Sequence, residues 1–337
     1  MILAFSFHKG NYFLQYLFNL QIIPTFVLTH HYLLFHIQPM NAFARFLAII
    51  AVIAISSSAT NAQLLWRISG PNTAKDSYII GTHHLAPIGI LDSIAGWDEA
   101  LNMCDAVYGE IDKDEMASQT TQRLMLSAAI APADSTINHI YTPQQIDSID
   151  NFLSDISNGL LSISYLSHMK PAFINTQASM LLSMKEMPDF NQQQQLDSYI
   201  QQLAINMGKS IGAFETARQQ IDILFNYPIS IQADELMETV RFSDTAVKLS
   251  KKISEAYLAQ DLDALHEISL DPALGFDPQS QARLVDNRNK AWVNTLTDII
   301  ADKSTIVCVG ALHLPGDNGL INLLRGLGYT VTPITKP

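Results

Sequence analysis

The sequence predicts an α/β (or α+β) domain: a central mixed sheet with strands from both ends of the chain, covered by helices, with a helical middle region inserted in it. Three observations carry that expectation. Runs rich in β-branched and aromatic residues, each of strand length, cluster towards the two ends of residues 63–337. Helical periodicity fills the stretch between them. Strands alternating with helices around a helical middle bury their apolar faces best as one sheet with helices laid against it.

The strand-like runs are Leu64–Ile68, Tyr78–His84, Ala106–Ile111, Ser210–Glu215, Thr305–His313 and Tyr329–Ile334. Pro143 after Thr142 reads as the first turn and N-cap of a helix whose apolar positions are Ile146, Ile149, Leu153 and Ile156. Pro171 opens a second helix through Met180 and Met184. Leu196, Ile200, Leu203 and Met207 stripe a third, which Gly208 closes. A further helical region runs from Ile231 to about Ile300, broken near Asp271-Pro272 and Gly275–Pro278. The helical insertion is drawn at about 113–207 within a single domain at 63–337, and the pattern leaves strand order open.

The first 62 residues are different in kind. They hold one Lys (Lys9), one Arg (Arg45) and no Asp or Glu. From Met40 the chain reads as a secretory signal peptide: Arg45, an apolar run Phe46–Ile55, then the small residues Thr60-Asn61-Ala62 before Gln63. That run is short of the roughly 20 residues a spanning helix needs, so no stable membrane insertion is expected after cleavage. Residues 1–39 read as an upstream extension, the product of a misplaced start or an apolar leader. An exported protein, periplasmic or extracellular, follows. The remaining 275 residues carry 18 Lys+Arg (20 minus 2) against 32 Asp+Glu, a balance of −14. That sign argues against nucleic acid and anionic membrane surfaces as partners. Cys104 and Cys308 read as small buried residues beside strands, with pairing in an oxidising compartment as the alternative.

Four of the strand-like runs end in a residue able to bind a metal or move a proton. They lead into Gly81-Thr82-His83-His84, Gly109-Glu110, Glu215 and Gly310-Ala311-Leu312-His313. In open α/β sheets, sites gather beyond the carboxyl ends of the strands, and glycine there lets the backbone turn or approach closely. Two imidazoles with two carboxylates are a donor set for a divalent metal of the manganese, cobalt or zinc type, which would lower the pKa of bound water. Taken singly, each residue reads as a structural histidine or a helix N-terminal carboxylate, so the convergence is what points to chemistry. His266-Glu267 lacks a second histidine at helical spacing, no GxSxG elbow occurs, and phosphate-binding glycine loops are missing.

These motifs also resemble a known family. Gly81-Thr82-His83-His84-Leu85 is similar to the GTxHL segment of TraB/GumN proteins. Trp97-Asp98-Glu99-Ala100, Asp105–Asp112, Lys170-Pro171, Leu196–Thr216, Arg288-Asn289 with Trp292, and Val309–Val331 follow in the family's order. The resemblance implies kinship in fold with the Tiki-type metalloproteases and with erythromycin esterase-like and ChaN-like proteins. It makes His84, His313, Glu110 and Glu215 the metal ligands and catalytic residues. Asp197, Arg288 and His83 would orient the site or its substrate, and Gly81 and Gly310 would serve through their backbone. His83 fills the variable position of the motif, and the glycine that often precedes the family aspartate is absent before Asp197. The expected activity is that of a metal-dependent hydrolase, a peptidase acting on a peptide or protein. A metal-free esterase-like hydrolase with His84 as general base, and a peptide-sequestering protein of the pheromone-shutdown type, are the alternatives.

Overall fold

The computed structural model describes residues 63–335 except 71, 74, 192 and 272–276; the expectations for 1–39 and 40–62 lie outside the described residues. Six strands form one sheet: β1 Leu65–Ser69, β2 Ser77–Thr82, β3 Ala106–Gly109, β4 Ser210–Ala213, β5 Thr305–Gly310 and β6 Thr330–Pro333. Each falls within or overlaps one of the six runs expected from the sequence. The order across the sheet is β4-β3-β5-β2-β1-β6. β1 is antiparallel to both β2 and β6, while β2, β5, β3 and β4 run parallel, so the sheet is mixed.

Chain order and sheet order diverge at one decisive place. β5, from the last tenth of the chain, inserts between β2 and β3, from the first third. The registers Thr82↔Gly310, Gly109↔Cys308 and Gly109↔Ala213 bring the carboxyl ends of all four parallel strands to one rim. β2 is buried throughout and β5 nearly so, as expected of parallel strands covered on both faces. Their apolar side chains join Trp97, Leu196, Ile200, Trp292 and Leu296 in the main core. Cys104 and Cys308 are buried free thiols.

Among the described residues, the helices of seven residues or more are α1 Trp97–Met103, α2 Gln119–Ala129, α3 Pro143–Ile156, α4 Pro171–Glu186, α5 Leu196–Asn206, α6 Ala217–Phe225, α7 Ile229–Arg241, α8 Ser243–Leu258, α9 Leu262–Leu270, α10 Asn287–Asp302 and α11 Leu320–Gly326. β4 divides the helical middle into two stretches. Local chemistry sets several of their starts. Thr142 and Gln145 form a capping box at α3, with Pro143 in its first turn, and Thr216 and Gln219 form another at α6. Lys170, before α4, donates from Nζ to the Phe225 carbonyl and to Asn226 at the end of α6, tying the two helices together. One π-helical turn, Ala282–Asp286, leads into α10. No helix among the described residues is long and apolar enough to cross a membrane.

Candidate functional site

The strands stop where the chemistry starts. Beyond Gly109 and Ala213 the β3–β4 pairing continues through Phe214 N–H to the Gly109 carbonyl (3.1 Å) and Glu215 N–H to the Glu110 carbonyl (2.9 Å). That backbone pair places Glu110 and Glu215 side by side, and the Thr216 capping box then turns the chain into α6. After β5 a single 3-10 turn, Ala311–His313, carries His313 back over the rim. β2 packs tightly against that turn: a Cβ on Gly81 would lie 3.0 Å from Ala311 Cα, so glycine here permits the close approach. At Gly310 a Cβ would meet only ordinary contacts; what that residue supplies is its N–H, donated to Glu110 Oε1 at 2.8 Å.

Arg288, in the first turn of α10, organises the buried part of the site. Its Nη2 bridges the two carboxylates, 2.5 Å from Glu110 Oε2 and 2.9 Å from Glu215 Oε2. Nε donates to Glu215 Oε1 at 2.9 Å, and Nη1 donates to the Leu284 carbonyl and to His313 Nε2, each at 3.1 Å. Five N–H groups therefore meet five directions of acceptor, the saturation a guanidinium allows. Trp292, four residues on and thus on the same helix face, donates from Nε1 to Glu215 Oε1 at 3.0 Å. Its ring lies 4.6 Å below the guanidinium and 4.6 Å from the His313 ring. Gln220 of α6 completes the clasp by donating to Glu110 Oε2 at 2.9 Å.

His313 has a defined tautomer. Asn289 Nδ2 donates to the His313 and Asn318 carbonyls, so its Oδ1 must face His313 Nδ1, 2.7 Å away. Nδ1 therefore carries the proton and Nε2 is the bare acceptor turned to Arg288. Burial pulls the His313 pKa down to about 4; Glu110 opposes this, while Arg288 and His84 add to it. Burial alone would raise Glu110, but His313, Arg288, His84 and the Gly310 N–H outweigh it and bring it to about 2. Because His313 is neutral at neutral pH, the standing cation beside Glu110 is Arg288, whose own pKa its two carboxylates raise against the effect of burial.

His84 lives differently. Its Nδ1 donates to Asp197 Oδ2 at 2.8 Å, and Thr82 Oγ donates to the other oxygen of Asp197 at 2.6 Å. Among the described residues His84 Nε2 has no hydrogen-bond partner. Asp197, by charge and by hydrogen bond, raises the His84 pKa to about 9. The side chain is 68% exposed, so solvent moderates that upward pull. His83 belongs to the turn instead. Its Nδ1 accepts from Leu85 N–H at 3.2 Å, its ring tilts against Tyr257, and burial lowers its pKa to about 4.

The structure thus brings His313, Glu110, Glu215 and Arg288 into one hydrogen-bonded cluster, and His84 with Asp197 to the same rim. His84 is close enough for Glu110 and Arg288 to act on its charge. Sequence reading did not reach Gln220, Asn289 or Trp292 as site residues; the last two stand in the quoted Arg288 segment, while nothing marks Gln220. By donor type the four expected ligands suit a divalent ion. As arranged they do not fit one, because both oxygens of Glu110 and of Glu215, and Nε2 of His313, already accept from donors, chiefly Arg288. Two grooves, of about 420 and 270 Å3, lie among the helices and are lined by none of these residues.

A model of the TraB/PrgY/gumN family matches residues 64–333, which spans every strand and every side chain just described. The chain belongs to the TraB/PrgY/gumN family. Neither the curated proteins nor the solved structures contain a significant match. Family membership accounts for the ordered set of motifs, from the Gly81–Leu85 segment at the end of β2 to the His313 turn after β5.

Proposed function

We propose that this TraB/PrgY/gumN protein is a hydrolase of peptide or ester bonds that uses His84 as general base, and that it works outside the cytoplasm once residues 40–62 are removed as a signal peptide. The supporting observation is the His84–Asp197 pair: an imidazole with Nδ1 held by a carboxylate and Nε2 without a hydrogen-bond partner among the described residues, at an exposed rim. In that arrangement the carboxylate fixes the tautomer and steadies the imidazolium that forms. Neutral His84 takes a proton from water as the oxygen attacks the carbonyl carbon, then returns it to the leaving group. Asp197 keeps its hold on Nδ1–H through the step, and Thr82 holds its second oxygen in place. The buried cluster holds Glu110, Glu215 and His313 still beside this base; from it the Glu110 charge favours an imidazolium at His84 and the Arg288 charge opposes it.

Because Asp197 raises the His84 pKa, the neutral base becomes more abundant on the alkaline side of neutrality. Hydrolysis of a mixed peptide and ester panel, read by mass spectrometry, is expected to rise with pH through that range. His84→Gln is expected to lower it by roughly 10²–10⁴-fold with the fold retained. Peptide bound stoichiometrically and recovered intact at every pH would establish sequestration instead. Products formed equally well by His84→Gln would remove His84 from the chemistry.

A further inference from the structure

We infer that Arg288 stands in the place a divalent metal would take, so that this chain carries its own internal cation and binds no ion between Glu110, Glu215 and His313. The ground is donor geometry. Nη2 alone lies within 2.9 Å of an oxygen from each glutamate, and Nη1 faces the one lone pair of His313 that could ligate. The His313 tautomer is the one a metal-binding histidine would need, with Nδ1–H held by Asn289 and Nε2 bare. Yet that lone pair meets a guanidinium. The three side chains that would surround an ion are all at least 90% shielded from solvent, and Arg288 itself is 12% exposed.

The cation is also built in rather than resting there. It sits in the first turn of α10, directly after the π-helical turn Ala282–Asp286, which Arg283 anchors by donating to Glu235 Oε1 at 2.8 Å and by lying 3.7 Å over the Tyr227 ring. Ser280 donates to the same oxygen of Glu235 at 2.8 Å. An incoming ion would have to displace a charge whose five donors are all satisfied and leave a desolvated guanidinium unpaired, which is strongly unfavourable. Conversely, deleting the guanidinium leaves two buried carboxylates and a bare imidazole nitrogen facing one another, the donor set of an oxygen- and nitrogen-rich metal site.

The test reads metal binding and does not depend on hydrolysis. Full-length protein purified without chelators is titrated with cobalt(II), following visible absorption and melting temperature. The wild type is expected to give no visible band and an unchanged melting temperature with either cobalt or EDTA. Arg288→Ala is expected to bind a single cobalt roughly a hundredfold or more tighter than the wild type, with a visible band and a higher melting temperature, and Glu110→Gln in that background is expected to abolish both. Arg288→Gln is the second variant should Arg288→Ala fail to fold; if neither folds, the wild-type titration decides alone. A wild-type cobalt spectrum that His313→Gln removes overturns the inference, as do Arg288 variants that fold and bind cobalt no better than the wild type.

Discussion

His313 and His84 stand at one rim of one sheet, each beside a carboxylate, and their environments drive them in opposite directions. His313 is 5% exposed, hydrogen-bonded at both ring nitrogens and pulled by burial to a pKa of about 4. His84 is open to solvent, bonded at one nitrogen and raised by Asp197 to about 9. The residue types are the same; what differs is which partner lies nearest and how much water remains. Arg288 lies against His313 and competes for its lone pair, whereas among the described residues no cation is hydrogen-bonded to His84, which Arg288 reaches only through its charge. A saturated, neutral histidine suits a structural clasp, and an exposed one with a free nitrogen suits proton transfer.

The sharpest way to break that contrast is to remove the cation from the buried half. Arg288→Met is expected to destabilise the fold by about 3–5 kcal/mol, because two glutamates shielded to 10% and 7% exposure lose their shared partner. Urea unfolding at neutral pH measures it, and a loss under about 1 kcal/mol, the range of an exposed ion pair, would show the clasp to be a surface feature.

A smaller effect follows from acid. His313 and Glu110 both have folded pKa values below their ordinary ones, 6.5 and 4.5, so the unfolded chain binds the extra protons as pH falls. The His313 contribution is complete above pH 6.5 and is lost as pH falls through about 4; the Glu110 contribution follows between 4.5 and about 2. For His313 the whole change is about 3 kcal/mol. Urea midpoints are expected to drop between these limits in the wild type and to drop less in His313→Gln. A wild-type midpoint that holds steady from pH 7 to 4 would contradict a buried neutral imidazole.

The smallest effect on stability lies in the exposed half. Asp197→Asn removes the charge that raises His84, so the rise of activity with pH is expected to move roughly one unit towards acid. Folding stability is expected to change by less than about 1 kcal/mol near neutrality, since the pair is solvent-screened. What the pair does contribute has the opposite sign to His313: it is complete below pH 6.5 and fades as pH rises through about 9. A pH–rate profile measured beside urea curves separates the two; an unmoved profile would mean that Asp197 does not set the basicity of His84.

Much of the scaffold was readable in one dimension because its signals are local. β-Branched runs bounded by glycine predicted β2 and β5, and the Thr142-Pro143 pair predicted the start of α3. The runs were drawn too long where the chemistry begins. Tyr78–His84 gives way at Thr82 and Thr305–His313 at Gly310, since each strand lasts only while its neighbour offers a ladder. His83 and His84, adjacent in sequence, part company there: one folds into the turn against Tyr257, the other reaches Asp197.

From sequence alone came the six strands, the helical middle, the family motifs and the convergence of His84, His313, Glu110 and Glu215 on strand ends, because residue type and short-range period encode them. Only the tertiary structure inserted β5 between β2 and β3, and only that insertion set the partners of each imidazole. The separation of the two histidines into clasp and base rests on contacts spanning from 24 to 178 residues of chain, with Asn289, Asp197 and Arg288. Burial and charge at such contacts are properties of the packed chain, and no local pattern carries them.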